Sequence, residues 1–242
     1  MLSRRRLMRT ALHASLKVLA IQAGLLPLLS RPARAELLGR IPKDMPFDRS
    51  IYRLSGNVWV NGKAATLTTF ISANSTVETG PASEIIFVVG KDAHILRENS
   101  KLTLNGTGVI ETGLNVITGK LLSVFGKRET RESISVSTST STIGIRGTGL
   151  YTESYTDFSY VCTCYGKTDI VTSDGSERKQ ITAIHHDAPQ YIYAKPIDGG
   201  RFKSAPLINH TDQELAIIEA LVGRALPFAN FLDSYQSPQR SY

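Results

Sequence analysis

The feature that most constrains this chain is a rhythm of short apolar runs, each closed by glycine or asparagine, from Ile51 to about Ile184. Val58-Trp59-Val60 precedes Asn61-Gly62, a pair that supplies the positive φ angles of a tight hairpin turn. Glu84 to Val89 reads as a buried strand closed by Gly90, and Lys101 to Leu104 leads to a second turn pair at Asn105-Gly106. Leu121–Phe125, Ser133–Val136, Gly149–Ser154, Ser159–Cys164, Thr168–Val171 and Lys179–Ile184 continue the pattern. Strands this frequent, with turn residues between them, predict a mainly β fold: a multi-stranded antiparallel domain of sandwich or meander type. Ser137 to Thr142 is a run of hydroxyl residues, expected as a solvated or edge strand.

The pattern changes near the C-terminus. Thr211-Asp-Gln-Glu214 has the capping-box form, and Leu215, Ile218 and Val222 follow at helical spacing. Gly223 and Pro227 end the run, so one C-terminal helix is predicted over 212–222. The organisation expected is a leader over 1–35, a linker over 36–50, the β domain over 51–190, an extension with the helix over 191–232, and a tail over 233–242.

Charge separates the leader from the rest. The formal net charge is +7, but residues 1–35 hold seven basic side chains and no acid. The remaining 21 basic residues meet 21 acidic ones, so the folded part lacks the concentrated positive charge that nucleic acid requires. The leader runs from a basic end through a mildly apolar stretch to Ala33-Arg34-Ala35, which offers the small residues of a signal-peptidase site, with Glu36 the first mature residue. Arg4 and Arg5, followed by Arg6-Leu-Met-Arg9, resemble a twin-arginine export signal. Val18 to Leu29 is about 12 residues, short of the roughly 20 a membrane span needs, so the cleaved product is expected to be periplasmic and not membrane-spanning. Twin-arginine export carries proteins already folded in the cytoplasm, where thiols are reduced.

Several segments together resemble the FecR domain, a periplasmic β-rich module of envelope signalling. They are Gly56-Asn-Val-Trp-Val-Asn-Gly-Lys-Ala-Ala65, Asn74 to Gly80, Leu96 to Leu104, Gly119 to Phe125, and above all Thr142-Ile-Gly-Ile-Arg-Gly-Thr-Gly149. The resemblance covers roughly 51–173 and implies a FecR-like fold and a binding or sensing role. Its diagnostic residues here are Gly144, Ile145, Arg146, Gly147 and Thr148. The chain shows neither the cytoplasmic sigma-factor-holding part nor the transmembrane helix of anchored members, so a free-standing exported module is implied, engaging an envelope protein or polysaccharide. Alternation turns Ile143 and Ile145 inward and Arg146 outward, where Arg146 is expected to pair with a carboxylate or loop carbonyl, or to bind an anion. The glycines permit positive φ or close backbone approach.

Only two cysteines occur, Cys162 and Cys164. Two apart on a strand, they face the same way, with Cα atoms about 6.6 Å apart when fully extended. Three readings stand open: buried thiols, a strained disulfide favoured by an oxidising compartment, or ligands for Zn(II) or Cu(I). His185 and His186 follow the strand ending at Ile184; as strand residues they would face opposite ways, so at most one would join the sulfurs. Asp187 is a further candidate ligand or supporting partner. A sulfur-to-nitrogen distance under about 4.5 Å with convergent lone pairs would favour metal. The chain has no Gly-x-Ser-x-Gly elbow, His-Glu-x-x-His or phosphate-loop lysine, and Gly106-Thr-Gly108 lacks the third glycine of a dinucleotide fingerprint because Glu111 stands there. A non-catalytic binding protein is therefore expected.

Overall fold

The computed structural model describes residues 45–128 and 133–228. The export arginines Arg4 and Arg5, the cleavage residues Ala33 and Ala35, and the tail 233–242 lie outside them. The strands are β1 (Ile51–Ser55), β2 (Val58–Val60), β3 (Lys63–Ala64), β4 (Thr76–Thr79), β5 (Glu84–Val89), β6 (Asp92–Leu96) and β7 (Lys101–Thr107). They continue as β8 (Ile110–Val124), β9 (Ile134–Ser137), β10 (Ser141–Ser154), β11 (Phe158–Thr172), β12 (Arg178–Ala183), β13 (Gln190–Ile197) and β14 (Gly200–Ser204). One helix among the described residues, α1 (Asp212–Leu221), follows.

The predicted mainly β fold with one C-terminal helix is what forms: a large, antiparallel-rich sheet that does not close into a barrel. Its order is more branched than a meander. The path runs β14-β13-β11-β10-β9-β8-β7-β4-β2-β3, while β1, β5 and β6 join at β8, and β12 joins at β11. Three long strands make the branching possible. The first half of β8 pairs with β7 and, in parallel, with β9; its second half pairs with β6 and β10. β11 likewise pairs with β13 at its start and β12 at its end. The sheet also continues past residue 190 through β13 and β14.

Local chemistry explains most breaks. Asn61 and Gly62 take φ of 52° and 74° between β2 and β3, the positive pair a two-residue hairpin requires. Asn105-Gly106, in contrast, is not the expected turn: β7 runs on to Thr107, and the pair carries a register shift in the ladder with β8. A Cβ on Gly106 would sit 2.1 Å from the Ile110 carbonyl oxygen, so the close approach of the two strands needs glycine there. The hydroxyl run is corrected too. Thr138 to Thr140 form the break between β9 and β10, and Thr140 is buried, its hydroxyl bonded to Ser159 and the Ile192 carbonyl.

Buried apolar residues form two clusters. One gathers Ile51, Val77, Phe87, Leu102, Ile143, Val161 and Ile170. The other gathers Ile95, Leu122, Tyr151, Tyr160, Cys162 and Cys164 with Leu215, Ile218 and Leu221 of α1. Along β11, Tyr160, Cys162 and Cys164 therefore face the helix side and Val161 the opposite side. Beyond the register shifts at Arg146–Leu150 the alternation reverses, which lets Ile170 join Val161.

The helix forms where the capping box places it. Thr211 accepts a hydrogen bond from the Glu214 amide, and Glu214 accepts one from the Thr211 amide. Leu215, Ile218 and Leu221 are fully buried against the sheet, each contributing roughly 1.5–3 kcal/mol relative to exposure. Arg97, just after β6, locks the helix start by donating to both Glu214 carboxylate oxygens at 3.0 Å and to the Asn209 carbonyl at 2.9 Å.

Candidate metal centre

The helix-side face of β11 carries Cys162 and Cys164, both fully buried and not bonded to each other. Two histidines converge on them. His186 Nδ1 lies 3.5 Å from Cys162 Sγ, and His210 Nε2 lies 3.1 Å from His186 Nδ1. One donor atom from each of Cys162, Cys164, His186 and His210 falls within 4.8 Å of every other.

The partners of the far ring nitrogens fix the tautomers. His186 Nε2 is 2.9 Å from Asp212 Oδ1, and His210 Nδ1 is 2.7 Å from the Ile208 carbonyl oxygen. A carboxylate and a carbonyl only accept, so both far nitrogens carry hydrogens. In neutral rings, His186 Nδ1 and His210 Nε2 then turn lone pairs toward each other across 3.1 Å. Such a meeting is unfavourable unless a proton or a cation lies between them. Tetrahedral zinc would give ligand edges of about 3.3 Å between two nitrogens and about 3.6 Å between sulfur and nitrogen. The two distances, 3.1 and 3.5 Å, fall close to those edges.

His186 reaches this position through an uncommon backbone. Strand β12 ends at Ala183, and His186 adopts φ of 53°, with its amide bonded to the Cys164 carbonyl at 2.9 Å. The histidine pair is thus in a turn, and the strand alternation expected of it does not apply. His185 Nε2 bonds the other oxygen of Asp212 at 3.0 Å, in a second group of His185, His186 and Asp212. Asp187 instead accepts from the amides of Ile184 and His185 and shapes the turn. Asp212 therefore fills the supporting role considered for Asp187. His210 is the ligand-type residue that sequence reasoning missed; its one signal is its place immediately before the Thr211 cap. Tyr151 stacks on its ring with centroids 4.4 Å apart.

The electrostatics match a metal or proton trap. Burial pushes the Cys162 thiol up, but hydrogen bonds from Cys164, His186 and His210 outweigh it and hold the thiol well below its ordinary range. Burial also opposes the charge on His186, yet Asp212 and then Cys162 raise its pKa to about 9. Cys164 is pushed well above its ordinary range by burial and by the neighbouring Cys162. Asp212, despite burial, is held low by His186 and His185.

The remaining motif residues stand apart from this centre. Ile145 and Thr148 are buried in β10, and Arg146 is exposed. Gly147 takes φ of 57°, and a Cβ on Gly149 would meet the Tyr165 ring at 2.4 Å. Gly144 meets neither condition, since its φ is ordinary and its nearest contact is 3.6 Å away. Arg146 forms no ion pair or hydrogen bond among the described residues; Asp169, the acid nearest in influence, is paired with Arg178.

The fold and this centre define a class: a β-rich protein with a closed, buried Cys2His2 set. No protein family matches the sequence, and no curated protein matches it. Two crystal structures, at 1.65 and 2.50 Å, of a "putative anti-sigma factor" from Parabacteroides distasonis ATCC 8503 are similar at 9% identity and a TM-score of 0.44. The match covers 54% of this chain and 58% of that one.

Proposed function

We propose that this protein is a non-catalytic metal-binding module that holds Zn(II) through Cys162, Cys164, His186 and His210. The observation that carries the reading is the convergence of His186 Nδ1, His210 Nε2 and Cys162 Sγ, with the far ring nitrogens held by Asp212 and the Ile208 carbonyl. Mixed sulfur and nitrogen ligands in tetrahedral array suit zinc, and two thiolates cancel its charge, which lowers the cost of burial. Cu(I) meets the same sulfurs but would leave a net negative centre. Asp212 on His186 and the Ile208 carbonyl on His210 are the supporting hydrogen bonds that orient ligating imidazoles.

Four protein ligands leave no open coordination position, which supports a structural or sensing role. A second arrangement with catalytic atom types is sealed. His94 links Ser123 Oγ at 2.8 Å to Glu111 at 3.1 Å, but His94 and Ser123 are wholly buried at the β6–β8 pairing, out of reach of substrate. Within the same proposal the protein works in the periplasm as a FecR-like sensing module, with an envelope protein or polysaccharide as partner. Support comes from the leader and the quoted motifs, together with the described part, in which no helix is long and apolar enough to cross a membrane. Folding before export would load the site while its thiols are still reduced.

The test is elemental analysis and cobalt(II) substitution of the full chain purified under reducing conditions. One metal per chain and the absorption of tetrahedral thiolate-bound cobalt are expected. Cys162→Ser and His210→Ala should lose both, whereas His185→Ala should keep both. Two reactive thiols with no metal, or equal losses in His185→Ala and His210→Ala, would overturn the proposal.

A further inference from the structure

A cleft of about 750 Å³, with neither cysteine in its lining, opens beside the C-terminal end of α1. Four cationic side chains line it: Lys127, Arg128, Arg146 and Arg224. Two of these are offset. Arg128 pairs with Asp92, and Arg224 Nε donates to Glu219 at 2.6 Å. Lys127 and Arg146 have no such partner among the described residues, so the described lining carries two cations that no described acid offsets. Glu219, the acid in the lining, is already engaged by Arg224 and the Tyr165 hydroxyl. In addition, Arg224 Nη2 is buried with no hydrogen-bond acceptor among the described residues, a deficit that costs free energy unless an acceptor arrives.

The remaining lining is apolar. Phe125, Ile145 and the Tyr165 ring contribute carbon surface, and Gly147 forms an open lip where a Cβ would meet nothing within 4 Å. The volume lies within the usual range for small-molecule sites, about 300–1,000 Å³. Guanidinium groups suit carboxylate and phosphate oxygens, which they engage through paired N–H donors.

We infer that this cleft binds a small organic oxyanion, a carboxylate or phosphate carried on a ring-sized body that rests on Phe125 and Tyr165. Arg146 and Lys127 supply the charge that selects it. Arg146 thereby gains a role that its lack of a partner among the described residues leaves open. The inference does not depend on the metal centre.

Isothermal titration calorimetry on the full chain tests it, with glucuronate as the carboxylate probe, glucose 6-phosphate as the phosphate probe and glucose as the neutral control. At least one anion should bind saturably and at least about tenfold tighter than glucose, and added salt should weaken it. Which anion binds more tightly identifies the source of the charge. Arg146→Gln should weaken that binding by about tenfold or more while retaining metal content, and Lys63→Gln, a surface charge on β3, should not change it. Binding of neither anion above glucose, or an equal loss in Lys63→Gln and Arg146→Gln, would overturn the inference.

Discussion

At the residue scale, the centre is governed by one proton when no metal is bound. Cys162 is held low and His186 is raised to about 9, so the folded, metal-free pair is a thiolate beside an imidazolium. The two contributions have opposite signs in pH. A raised His186 stabilises the fold fully below its ordinary 6.5 and loses that stabilisation as pH rises through about 9. A lowered Cys162 stabilises fully above its ordinary 9.0 and loses its contribution as pH falls through the folded value. Where pH lies above both 6.5 and the folded Cys162 value and below about 9, the folded pair and the unfolded pair each hold one proton, so together they add no slope there. Thiolate ultraviolet absorbance of the metal-free protein should therefore persist through neutral pH. Asp212→Asn should move it up toward an ordinary thiol and weaken metal binding about 10–100-fold. Titration of the Cys162 thiol in the native chain near its ordinary 9.0 would contradict this account.

At the element scale, the attachment of α1 decides whether the centre exists. The helix brings Asp212 to His186, and the loop before it brings His210. Arg97 holds that junction through Glu214, Glu84 and the Asn209 carbonyl, with only 8% of its side chain exposed. Removing one member of a pair this buried leaves a carboxylate desolvated. Arg97→Met should cost about 3 kcal/mol in urea unfolding and raise hydrogen exchange in α1. A loss below about 1 kcal/mol, as for an exposed pair, would show that the helix is held by its apolar face alone. The helix itself was legible from Thr211, Glu214 and the spacing of Leu215 and Ile218, because caps and amphipathic periods are local. The branching of β8 and β11 was not legible, since pairing two halves of one strand with different partners leaves no local signature.

At the scale of the whole molecule, a metal that binds only the folded chain adds stability by mass action. Free zinc at 100 times its dissociation constant adds about 2.7 kcal/mol, or roughly 5–10 °C in melting temperature for a chain of this size. Calorimetry with zinc and with a chelator should show that separation in the native chain and none in Cys162→Ser. An identical melting temperature in both conditions would leave the centre without a metal.

The sequence by itself determined the strand-rich class, the hairpin at Asn61-Gly62, the capped helix, and the shared face of Cys162 and Cys164. Each of these follows from residues within a few positions of one another, where turn chemistry, period and capping act. It also brought His185 and His186 into view, but not which of them lies beside the sulfurs. That choice, the recruitment of His210 and Asp212, and the lack of a partner for Arg146 among the described residues were decided by tertiary structure. Each depends on residues far apart in the chain being packed against one face, and only the folded sheet and helix set those distances.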